Sequence, residues 1–248
     1  YNRDVNYRMA CESLVLLKNN GILPLNPEKL GCVAVMGPNA NSIVALEGNY
    51  HGTANQYHTV LESIRAALPQ SRVLYSEGSH LYEQKLGDPG YDGDRLGEVR
   101  AMADMADLVV VVTGLDETVE GEELLAQGME GDKQDLLLPY SQRRMIEVLC
   151  NQDTPFVIVN LSGSAIDFGP GNEKAAAIIQ AWYPGAMGGK AVADLLMGKF
   201  SPSGRLPVTF YRNDNQLPDF CDYSMKNRTY KYFTEEPLFP FGYGLSYT

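Results

Sequence analysis

At 248 residues the chain has the length of one large α/β unit, and its formal net charge of −11 leaves no clustered Lys and Arg for phosphate binding, which excludes a nucleic-acid partner. The 44% hydrophobic and 21% charged content exclude a disordered or fibrous chain, and a neutral ligand such as a sugar is compatible with the charge. No apolar run approaches the roughly 18 residues of a membrane span, so a soluble chain with no membrane partner is expected. The chain starts without an initiator Met, as an excised piece of a longer protein would.

The N-terminal segment reads as a helix. Val5, Met9, Leu14 and Leu17 recur at helical spacing through Asn19, and Asn20-Gly21 supplies a stop. Five short apolar runs follow, at 32–36, 73–75, 108–113, 156–161 and 177–181. The third and fourth are rich in Val and Ile without polar alternation, the pattern of strands covered on both faces. Helical patterns lie between and after them at 60–68, 97–106, 140–151 and 188–197. Alternating strands and helices predict a mostly parallel sheet with helices on both faces, a flavodoxin-like α/β sandwich. The segment from Ser201 to Thr248 is rich in aromatics and prolines and predicts an irregular tail with one added strand.

Ligands of such sheets bind at the carboxyl ends of the strands, which directs attention to the loops 37–49, 114–139 and 162–172. In the second of these, Asp116, Glu117, Glu120, Glu122 and Glu123 crowd eight positions. Crowded like charges raise a carboxyl pKa, as a general acid near neutral pH requires. A solvated acidic loop is the other reading of the same run, and EF-hand spacing for calcium is absent. Gly48-Asn49-Tyr50 reads as a turn whose exposed aromatic and neighbouring amide suit sugar stacking and hydroxyl hydrogen bonds.

Other chemistries find little support. Gly185 to Lys190 resembles a phosphate loop, but Pro184 stands where its first glycine belongs and Ala191 where Ser or Thr should bind magnesium. Gly188 and Gly189 instead predict a helix that starts close to the sheet. No GxSxG elbow and no GxGxxG are present, and His51, His58 and His80 lack metal-ligand spacing. Cys11, Cys32, Cys150 and Cys221 never pair as CxxC, so free thiols are expected, one disulfide is the alternative, and no metal or cofactor is implied. Asn160 and Asn227 each begin a glycosylation sequon, but Asn160 ends a predicted buried strand, and both read as chance.

Several segments in order resemble the α/β-sandwich domain that follows the catalytic barrel of family 3 glycoside hydrolases. They are Glu12 through Leu25, Val33 through Ala40, Tyr183-Pro-Gly through Lys190, Pro202 through Phe210, and Pro240 through Tyr247. The resemblance implies residues 1–25 as a linker helix and lead-in from the barrel, and 26–248 as the sandwich domain. It implies a retaining, exo-acting β-glycosidase, of the β-xylosidase type with β-glucosidase as the alternative, acting on a β-linked oligosaccharide or glycoside. A barrel carboxylate would attack the anomeric carbon while a carboxyl of this domain, about 5 Å away, protonates the leaving oxygen. That barrel, and a fibronectin-like domain expected beyond Thr248, lie outside the chain.

Val119-Glu-Gly-Glu-Glu-Leu124, followed by Gly131-Asp-Lys133, is similar to the family's acid/base loop, which makes Glu120 the first candidate and Glu122 the second. Gly121 and Glu123 change the spacing of the motif, and Lys133 replaces its usual Arg. Leu46 through Gly52 resembles the segment carrying an aromatic wall of the sugar site, with Tyr50 as platform and Asn49 beside it. The family implies secretion or a periplasmic location and leaves a cytoplasmic one open. A non-catalytic carbohydrate-binding or buttressing domain is the rival reading.

Overall fold

A computed structural model describes residues 1–82, 91–120, 135–219, 221–224, 226 and 230–248. Its strands are β1 (Val15–Asn19), β2 (Cys32–Met36), β3 (Arg72–Ser76), β4 (Leu108–Gly114), β5 (Phe156–Leu161) and β6 (Ala177–Gln180). Its helices are α1 (Asn2–Ser13), α2 (Val44–Glu47), α3 (Val60–Ala67), α4 (Tyr91–Met105), α5 (Tyr140–Cys150), α6 (Gly171–Lys174) and α7 (Gly188–Leu196). The strands form one sheet in the order β1-β6-β5-β4-β2-β3, parallel throughout except for β1 against β6.

The inner strands β2 and β4 are largely apolar because both faces are covered. Val33, Val35, Val110, Val112, Val157 and Val159 point to the side packed by α1, α3 and α7. Their neighbours Ala34, Met36, Val109, Val111 and Ile158 point to the side packed by α4 and α5. The two-residue period of a strand sends alternate side chains to opposite layers, and each fully buried Val or Ile contributes roughly 1.5–3 kcal/mol. Local signals fix the helix entries as well. Thr59 caps α3 by accepting the Glu62 N–H at 3.2 Å, while Glu62 accepts the Thr59 N–H in return.

Three expectations need correction. The first helix does not run to Asn19; it ends at Ser13 and gives way to β1, which pairs antiparallel with β6. Leu14 and Leu16 pack into one layer and Val15 and Leu17 into the other, an alternation that a short apolar run shares with helical spacing. The added strand of the tail is reduced, among the described residues, to the single bridges Phe210↔Phe239 and Leu16↔Leu245. Pro207, Pro237 and Pro240 remove the backbone donors a longer ladder needs. Gly188 and Gly189 do bring α7 close to a neighbour, but not to the sheet. A Cβ on Gly189 would stand 2.2 Å from the Thr59 carbonyl oxygen, at the entry to α3.

All four cysteines are free, which disposes of the disulfide. Burial pushes the Cys150 thiol up to about 11 and raises that of Cys11. Asn160 is fully buried, so its sequon is closed to modification in this fold, and Asn227 lies outside the described residues. No helix among the described residues is long and apolar enough to cross a membrane.

Candidate active site

The order β3-β2-β4 sets the switch point of the winding between β2 and β4, where a crevice opens at the carboxyl edge of a doubly wound sheet. Loops leaving β2, β4, β5 and β6 converge there. Two glycines allow the strand ends to approach. Gly114, at φ +137°, would place a Cβ 1.8 Å from the Leu161 oxygen, and Gly37, at φ +110°, would place one 2.0 Å from the Val112 oxygen. Buried Asn39, just past β2, donates from Nδ2 to the Leu115 carbonyl at 2.9 Å and ties the first loop to the second.

The acidic loop begins as a tight turn. The Asp116 carbonyl accepts the N–H groups of Val119 and Glu120 at 3.0 and 2.9 Å. Asp116 Oδ1 accepts both the Thr118 N–H at 2.8 Å and the Thr118 hydroxyl at 2.5 Å, so this buried carboxylate is engaged by its own turn. Glu117 lies 3.5 Å from His51 Nε2, while His51 Nδ1 lies 3.3 Å from Glu47.

Glu120 is gripped from three other loops. Its Oε2 accepts the Gly163 N–H at 2.7 Å and the Tyr183 hydroxyl at 2.5 Å. Its backbone carbonyl accepts Asn49 Nδ2–H at 3.0 Å. Oε1 has no hydrogen bond or ion pair among the described residues. Burial, and next its bond to Glu120, push the Tyr183 phenol well above its usual range, so it remains a neutral donor. The ring lies on Gly48, where a Cβ would come within 2.7 Å of it and where φ of +69° also favours glycine.

Beneath these groups a buried polar network joins β5 to β6. Asn160 Nδ2 donates to Gln180 Oε1 at 2.7 Å and to Ser162 Oγ at 2.8 Å, and Gln180 Nε2 donates to the Ser162 carbonyl at 2.8 Å. The network fixes the residue before Gly163, and so the direction of the N–H that meets Glu120. Tyr50 and Trp182 both adopt positive φ, 57° and 58°, a conformation costing a non-glycine residue about 1–3 kcal/mol that collects at functional sites.

Of the sequence candidates, Glu120 and Asn49 are in direct contact, and Tyr50 stands beside Asn49 with 87% of its surface exposed. Glu122 lies outside the described residues, as do Glu123 and Gly131 to Lys133. Tyr183 and Gly163 escape the sequence reading as site residues. Their signal is positional, since each follows a strand whose carboxyl end opens on the same crevice. No group of three His, Cys, Asp or Glu side chains placed to hold a metal ion occurs among the described residues.

A doubly wound domain with a glutamate held at its switch point has clear relatives. The model of the glycosyl hydrolase family 3 C-terminal domain matches residues 14–247, and the chain belongs to that family. It is 51% identical over 143 residues to a xylan 1,4-β-xylosidase of Xylanibacter ruminicola, covering 56% of this chain and 16% of that protein. It is 35% identical to a periplasmic β-glucosidase of Salmonella typhimurium over 97% of this chain and 34% of that one. Among solved structures it is similar to a GH3 exo-β-xylosidase in complex with a xylobiose aziridine activity-based probe, with a TM-score of 0.81 and 30% identity. That likeness covers 99% of this chain and 31% of the other, so the chain spans about a third of such relatives.

Proposed function

We propose that the chain serves as the second domain of a retaining, exo-acting β-glycosidase, a β-xylosidase first and a β-glucosidase as the alternative, with Glu120 as the general acid/base. The observation that carries the proposal is the state of the Glu120 carboxyl group. It sits at the switch-point crevice with Oε2 held by two donors and Oε1 unengaged among the described residues. A solvated acidic side chain would not have one carboxyl oxygen held by donors from two other loops. The names of the relatives supply the substrate class, β-linked xylosides and glucosides.

In this reading α1 links the sandwich to a barrel that contributes the nucleophile, and Tyr50 offers a stacking face to the sugar. Glu120 first donates its proton to the leaving oxygen, then takes one from the water that opens the glycosyl-enzyme. Asn49 already donates to the Glu120 carbonyl, so its amide steadies the loop as well as bordering the sugar site.

The test is made in the longer enzyme. Glu120→Ala should cut kcat/KM on xylobiose by about 10²–10⁴-fold, with a much smaller loss on activated aryl xylosides that need little protonation. Should Glu122→Ala show that pattern and Glu120→Ala not, the role moves two residues along the loop.

A further inference from the structure

Resting on the assignment of Glu120 as acid/base, we infer that Tyr183 is a positioning residue that holds Oε2 and thereby makes Oε1 the oxygen that delivers and recovers the proton. Oε2 already accepts two hydrogen bonds, from the Tyr183 hydroxyl at 2.5 Å and the Gly163 N–H at 2.7 Å. A carboxyl oxygen bound in this way suits the carbonyl-like oxygen of the neutral acid, which leaves the proton on Oε1. In the donating step the Oε1–H bond breaks and its proton goes to the glycosidic oxygen. The C–O bond breaks toward that oxygen, and the carboxylate nucleophile of the barrel takes the anomeric carbon.

The same two donors act on the timing of the step. They bind the carboxylate more strongly than the neutral acid, so they stabilise the anion left on Oε2 as the proton leaves Oε1. Tyr183 can do this across the working pH range because burial keeps its own phenol protonated. Its ring is fixed in turn by Gly48, and the Gly163 donor by the network of Asn160, Gln180 and Ser162. Among the described residues, the segments that meet here also carry the ionisable groups Asp116, Glu117, Asp135, Asp167, Glu47 and His51. Asp116 is engaged by Thr118, and Glu117 and Glu47 flank His51, so among the described residues Tyr183 is the ionisable side chain in hydrogen-bond contact with the Glu120 carboxyl group.

The experiment is the pH profile of kcat/KM for a xyloside in the longer enzyme. The alkaline limb reports the free acid, which must be protonated to act. Tyr183→Phe removes a donor to the anion, so the limb should move up by about one pH unit, with KM changed less than about twofold. Replacing Tyr183 by 3-fluorotyrosine, nearly isosteric and a stronger donor, should move the limb the other way, which covers the case of a phenylalanine variant that fails to fold.

A loss of rate with the limb unmoved in both variants would reduce Tyr183 to packing and overturn the inference. Glu120→Gln separates that outcome from a failure of the underlying assignment. If it abolishes the alkaline limb on an activated aryl xyloside, Glu120 is the acid whatever Tyr183 does. If Glu122→Gln abolishes it instead, the assignment itself has fallen, and the inference about Tyr183 falls with it.

Discussion

Asp194 shows how one buried charge is made tolerable in this core. It is 3% exposed in the last turn of α7, where burial alone would raise its carboxyl pKa. Hydrogen bonds from Lys190, from Lys199 at 2.7 Å and from Tyr7 at 2.6 Å outweigh that penalty and hold the carboxyl below its ordinary value. A pKa depressed by folding means stability that is present above the unfolded value and lost as the pH falls through the folded one. Both lysines are themselves substantially solvated, which discounts their share. Asp194→Asn is therefore expected to cost about 2 kcal/mol at pH 7. In urea unfolding followed down to pH 3, the gap between the two proteins should close as the native carboxyl becomes protonated. A gap independent of pH would assign the effect to packing rather than charge.

At the scale of elements, the junction of α5 with the end of β4 decides where the acidic loop departs. Gln142 is fully buried on α5, and its Nε2 donates to the Gly114 and Leu81 carbonyls, each at 2.7 Å, while its Oε1 accepts the Gly114 N–H at 3.0 Å. Gln142→Leu would take this partner from three backbone groups, the buried N–H and C=O of Gly114, each costing about 1–3 kcal/mol, and the part-buried carbonyl of Leu81, which costs less. Allowing for relaxation, a loss of roughly 3 kcal/mol is expected in thermal or urea unfolding. A variant within 1 kcal/mol of the parent would show that the strand end finds other partners.

The central elements were legible because burial on both faces leaves uninterrupted apolar runs, as at Phe156 to Leu161, and polar helices between them. β1 was not, because its three apolar residues fit a helical stripe as well as a strand and only the partner β6, some 160 residues away, decides between them. The site divides in the same way. Glu120 and Asn49 stood out through charge crowding, turn chemistry and family motifs, all local signals. Tyr183 is 63 positions from Glu120, and nothing near it in sequence announces a carboxylate partner. Its contact with Glu120 follows from topology, since β4, β5 and β6 lie side by side and present their following loops to one crevice.

For the whole molecule, the proposed role of Glu120 would make the crevice one side of a two-carboxylate reaction. A retaining glycosidase needs its second carboxylate about 5 Å from the first, on the opposite side of the anomeric carbon. The described neighbours of Glu120 do not supply it, because Asp116 is buried and bound to Thr118, and Glu117 faces His51. A proton donor alone leaves the developing positive charge of the sugar unstabilised, and the low barrier of the enzymatic reaction depends on both groups acting together. The purified 248-residue chain is therefore expected to give no turnover of an aryl β-xyloside above buffer, however well it folds. Measurable, saturable hydrolysis by the chain would mean that it carries its own nucleophile. Calorimetric titration with xylobiose separates the remaining readings. A carbohydrate-binding module should take up the sugar without help from another domain, whereas half an active site, with Tyr50 as its exposed aromatic face, should bind it too weakly to register at millimolar concentration.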